Sequence, residues 1–180
     1  MPIEATTRPP RSRPSVDVMV VGAGIVLSMA LLAGAGIVAP GTDTGHARFH
    51  GSTALMALLV AAGILWVRPS RTLANRAPVV GLVALAVAML VESVGALGFG
   101  PDGYGRVNDL VVLHDLGLLL TPLAMIVMVV ALAISAGAVI WRRAAGSNAA
   151  RATAVLVGLV VVAMGLFLIA TLTGMTPFLG

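Results

Sequence analysis

The chain predicts an all-α integral membrane bundle of five transmembrane helices, and three observations carry that prediction. It is 59% apolar and only 10% charged, with a mean hydropathy of +1.06. Soluble domains run at about 45–50% apolar and about 25% charged. The apolar residues gather into five runs parted by short polar loops, each long enough at about 1.5 Å per residue to cross about 30 Å of hydrocarbon. The arginines, finally, sort to one side of those runs. Cysteine is absent and all 11 basic residues are arginine, which excludes disulfides, thiolate metal sites and cysteine nucleophiles. The calculated isoelectric point near 11.4 comes from arginines scattered through loops without interleaved aromatics, so nucleic acid is not an expected partner. The chain carries no P-loop, dinucleotide fingerprint or Ser-His-Asp arrangement.

Residues 1–16, with Arg8, Arg11 and Arg13, read as a disordered basic cytoplasmic tail. Residues 17–180 form a single membrane domain with spans expected at about 18–39, 46–67, 78–97, 110–141 and 149–174. The first run is longer than the roughly 7–15 residues of a signal-peptide core, so it reads as a retained span. Pro40-Gly41 ends it, and Asp43 or Thr44 can cap the second. Ala77-Pro78 reads as the first turn of the third. A turn-rich loop from Gly98 to Gly105 follows, Asn108 or Asp109 caps the fourth span, and Ser147-Asn148 caps the fifth.

If the spans alternate, Arg8, Arg11, Arg13, Arg68, Arg71, Arg76, Arg142, Arg143 and Arg151 share one side, and Arg48 and Arg106 lie on the other. The positive-inside rule then puts the N-terminus in the cytoplasm and the C-terminus outside; the location expected for such a multi-pass chain is the bacterial plasma (inner) membrane. Trp66 and Trp141 flank the inner arginines, as interfacial anchors do. Ala84, Ala88, Glu92 and Ala96 repeat every four residues, a small-residue stripe that turns Glu92 toward the bundle. Gly22, Ser28, Gly36, Gly158 and Gly165 suggest further close contacts. Besides the lipid bilayer, such stripes suit a homo-oligomer or a larger membrane complex.

The polar residues that remain gather at the outer ends. His46 and His50 are four apart on one helical face, with Thr53 continuing it inward, and Glu92 and His114-Asp115 lie near the outer ends of their own spans. Counted from the outer caps, His50, Glu92 and His114 all lie about 9 Å in. Counted from Trp141, His114 stands about 40 Å up, above the membrane, unless tilt or a kink at Pro122 shortens span four.

An intramembrane carboxylate costs about 2.5–3.5 kcal/mol on insertion scales and marks a candidate site by default. Three functions compete for this cluster. In one, His50 and His114 bind a haem or, with His46, a divalent metal, while Arg48, Glu92 or Asp115 support the ligands. In another, Glu92 is catalytic, an acid or base partnered by a histidine and acting on a lipophilic substrate. In the third, which the sequence favours, Glu92 is simply paired to Arg48, His50 or His114, and the protein is a structural or accessory subunit of a membrane complex. Met125, Met128 and Met164 read as packing residues.

The string His46-Ala47-Arg48-Phe49-His50 at the start of a span resembles one in small bacterial membrane proteins akin to the DoxX-like group. That resemblance implies a membrane bundle of about four helices and, for some of its members, a quinone-linked redox role; the fifth span departs from it. A five-span bundle with an embedded carboxylate is also similar, by analogy of fold, to the EXPERA sterol-isomerase and ligand-binding proteins.

Overall fold

The computed structural model describes residues 15–67, 72–143 and 147–172. The tail arginines, Arg68 and Arg71 of the second loop, and the expected end of span five at Gly174 lie outside them, as does the side chain of Met164. The architecture is all-α, with five helices: α1 (Val16–Val38), α2 (Thr44–Val67), α3 (Leu73–Ala96), α4 (Val111–Arg143) and α5 (Asn148–Leu172). α1 to α4 are long and apolar enough to cross a membrane; in α5 the apolar stretch established by the described residues is Arg151–Ala163. Large apolar side chains such as Val26, Met56, Leu119 and Leu159 point outward, as they do when the surrounding solvent is lipid.

Successive helices run antiparallel and lie side by side in chain order. α3 is the centre, packed against α2 on one flank and most extensively against α4 on the other; α1 leans on α2, and α5 touches α4. Two ends result. One carries Trp66, Trp141 and the Asp17–Arg76 ion pair at 3.0 Å, which joins the starts of α1 and α3. The other carries the histidines. At the tryptophan end a groove lined by Gly63, Ile64, Pro78 and Leu132 parts α2 from α4 above α3, whereas at the histidine end side chains of α2 and α4 meet.

Helix starts follow local chemistry, and two differ from the sequence expectation. Asp43 is the cap of α2: its Oδ1 accepts the His46 N–H at 2.9 Å, the usual reach of a capping side chain. α3 begins at Leu73, five residues before Pro78, so that proline sits inside the helix and not in its first turn. Pro78 has no N–H to offer the Ala74 carbonyl, and Ser135 of α4 donates to that carbonyl instead at 2.6 Å. The missing backbone bond thereby becomes an interhelical one. Ser135→Ala is expected to cost about 1 kcal/mol, read as a lower midpoint in detergent unfolding. α4 starts at Val111, so neither Asn108 nor Asp109 is the residue directly before it; Asn108 instead makes a turn ahead of the helix, accepting from Leu110 N at 2.9 Å and donating to Leu97 O at 3.0 Å.

Close helix approach concentrates on the α3–α4 seam, where a β-carbon on Gly95 would overlap the His114 backbone and one on Gly117 would overlap Glu92. The stripe on α3 turns inward as expected, with Ala88, Glu92 and Ala96 buried. Ser28 is buried and Gly165 meets Val129, but Gly22 and Gly158 face open space, so the close contacts expected there are absent. Those two glycines instead line grooves on the helix surfaces.

Candidate functional site

Glu92 is the hub of the histidine end. It projects from α3 over the bare backbone of Gly117, and its side chain is only 3% exposed. Thr121 of α4 donates its hydroxyl hydrogen to Oε1. On the opposite side, His50 Nδ1 of α2 lies 2.9 Å from Oε2, a close polar contact set off the in-line hydrogen-bond direction. One carboxylate thus touches both flanking helices. The next residue, Ser93, donates to Ala47 O at 2.6 Å and pins α3 to α2 again.

The three histidines converge above this carboxylate. Their ring centroids are 4.6 Å apart for His46 and His50, 5.1 Å for His46 and His114, and 6.5 Å for His50 and His114. The count from the outer caps is therefore the one that holds for His114. α4 is simply long, at 33 residues, and its excess length extends past the tryptophan end of its neighbours. Phe99, in the loop between α3 and α4, packs its ring edge-on against His114 at 5.1 Å. That loop is held down by Asp43, whose N–H donates to Phe99 O at 3.0 Å.

Hydrogen bonding within the cluster is uneven. Four polar residues are buried among the described residues, namely Ser28, Glu92, Ser93 and His114. The first three have partners; both ring nitrogens of His114 have none. A buried group left so costs about 1–3 kcal/mol, which sets His114 apart from the other buried polar residues of the bundle. His46 Nδ1 faces Asp43 Oδ2 at 3.6 Å, as His50 Nδ1 faces Glu92. Two histidines therefore turn the same nitrogen toward a carboxylate and keep Nε2 for another partner.

Other sequence candidates lie apart from this cluster. Arg48 projects to the far side of α2 and rests beside Gly36 of α1. Asp115 pairs with Arg106 at 3.6 Å in solvent, so it points away from His114, as adjacent helical residues do. Thr53 spends its hydroxyl on Phe49 O at 3.1 Å. The residue that sequence reasoning missed is Thr121. Its signal was the spacing His114, Gly117, Thr121, which repeats as i, i+3, i+7 and puts all three on one face of α4.

Fold and site together define a helical bundle of the membrane type, with a histidine–carboxylate cluster at one end. No family model, no curated protein and no solved structure matches this chain.

Proposed function

We propose that the protein is a five-span protein of the bacterial plasma membrane, with its N-terminus inside and its C-terminus outside, serving as a small structural or accessory subunit of a membrane complex. The observation that carries this reading is the enclosure of Glu92. Its carboxylate is 3% exposed and bridges α2, α3 and α4 through His50 and Thr121. Such a group is suited to locking three helices in register. It is poorly placed for acid–base work on a lipophilic substrate, because the apolar grooves on the helix surfaces are lined by other residues. A haem between His50 and His114 fits less well, since the His46 ring packs against both rings and none of those grooves reaches them. The large outward apolar area and the groove between α2 and α4 suit lipid or a partner helix.

Orientation is tested by labelling, which the cysteine-free sequence makes clean. Tyr104→Cys, in the exposed loop at the histidine end, is expected to react with an impermeant maleimide added to intact cells. Asn148→Cys, at the other end, is expected to react after permeabilisation. The reverse pattern would overturn the topology. For the subunit reading, membranes solubilised in mild detergent are expected to show the chain on a native gel well above its own 18.2 kDa plus bound detergent. A band at the monomer position alone contradicts it. Glu92→Gln in the host is expected to change stability and assembly and no small-molecule turnover.

A further inference from the structure

We infer that His46, His50 and His114 form a site for one first-row divalent metal ion of the zinc type, with Asp43 and Glu92 as positioning residues behind two of the ligands. This does not rest on the subunit reading: an accessory protein and a solitary one could each carry the ion.

Four observations lead to it. All three histidines of the chain occur in this one cluster, although they come from two helices far apart in sequence. His114 is 9% exposed and offers two ring nitrogens with no partner, its ring packed between those of Phe99 and His46. The Nδ1 atoms of His46 and His50 face Asp43 and Glu92 at 3.6 Å and 2.9 Å. Neither contact is an in-line hydrogen bond as it stands, but a small ring rotation lets each carboxylate orient its imidazole and leaves Nε2 as the metal donor. Last, two of the three ring separations, those made by His46, are close to those of a metal-bound set. A metal–nitrogen distance of about 2.0–2.1 Å and tetrahedral angles put ring centroids about 5 Å apart. The observed separations are 4.6, 5.1 and 6.5 Å.

Among the described residues no group of three or more donor side chains is already arranged to hold a metal ion, so binding has to draw His50 and His114, at 6.5 Å, closer by about 1.5 Å. Side-chain rotation supplies a movement of that size, and the ion replaces the partner that His114 lacks. Three imidazoles select zinc, copper, nickel or iron over magnesium and calcium, which prefer oxygen ligands. The fourth position is left to water, since Glu92 and Asp43 are held behind the rings. His46 is the most accessible of the three, its side chain 38% exposed, and gives the ion its way in.

The test uses the full chain, purified in detergent through a tag free of histidine and stripped with chelator. Cobalt(II) serves as the spectroscopic probe, with zinc as competitor. The expected result is one cobalt per chain, with the intense visible bands of four-coordinate nitrogen and oxygen ligation, bleached by one equivalent of zinc. His46→Asn, His50→Ala and His114→Ala are each expected to weaken binding by about 100-fold or more. Asp43→Asn and Glu92→Gln are expected to weaken it by about 10–100-fold while keeping the four-coordinate bands, the effect of losing the group that orients a ligand. Should His50→Ala or His114→Ala fail to fold, His46→Asn at the partly exposed edge decides. Binding unchanged in His46→Asn, weak bands of hydrated cobalt only, or no binding by the well-folded wild-type chain would each overturn the site. None of these results alters the native-gel test, so failure of one reading is distinguishable from failure of the other.

Discussion

Glu92→Ala is expected to lower the stability of the bundle by about 2–4 kcal/mol, and to do so by loosening α2 and α4 together. The carboxylate accepts from Thr121 on one side and faces His50 on the other. Truncation leaves both of those half-buried groups without that partner, at up to about 1–3 kcal/mol for a typical case, and adds a cavity above Gly117. Polar contacts between membrane helices average nearer 0.6 kcal/mol, and removing a buried carboxylate relieves its own desolvation, so the estimate stays well below the sum. Glu92→Gln keeps an acceptor for Thr121 and is expected to cost about 1 kcal/mol. Unfolding by denaturing detergent, followed by circular dichroism, measures both. Equal midpoints for wild type and Glu92→Ala would show that the carboxylate holds nothing together.

Gly95→Val is expected to have an equal or larger effect, about 3 kcal/mol or more, for a different reason. The space a side chain would need at Gly95 is filled by the backbone of His114. Backbone cannot rotate away as a side chain can, so α4 has to move bodily from α3 and carry His114 out of the cluster. Gly22→Ala is the matched control. Nothing approaches within 4 Å of a β-carbon there, and alanine is the better helix former by about 0.8–1.0 kcal/mol. Neutral or improved stability at Gly22 beside a large loss at Gly95 would locate the close seam between α3 and α4. Similar losses at both would deny it.

Much of this is written in the sequence, and the limits have physical causes. Helix positions were legible because an 18-residue apolar run has few soluble alternatives, and because Asp43 and Asn108 carry recognisable turn and cap chemistry. Glu92 could be turned inward from the small-residue stripe it interrupts. The start of α3 was not legible: Pro78 usually opens a helix, and the hydroxyl that lets it sit deeper belongs to Ser135, 57 positions away in chain numbering. The depth of His114 was ambiguous for a similar reason. Rise per residue fixes length along one helix, but the offset between two helices is set by contacts such as Gly95 against His114, which no count along one chain contains. Thr121 went unnoticed because a threonine on an apolar helix more often bonds its own backbone, as Thr53 does.

Nitrogen NMR of the chain labelled with 15N only in histidine tests most directly whether the three rings form one site. With three histidines in the chain, the ring signals belong to this cluster alone and can be assigned by single substitutions. A shared site predicts that one equivalent of zinc shifts the signals of all three rings in step, and that Glu92→Gln alone displaces those of His50. Rings that respond to zinc one at a time, in different concentration ranges, or that ignore both zinc and Glu92→Gln, would mean that the histidines are separate residues that happen to share one end of the bundle.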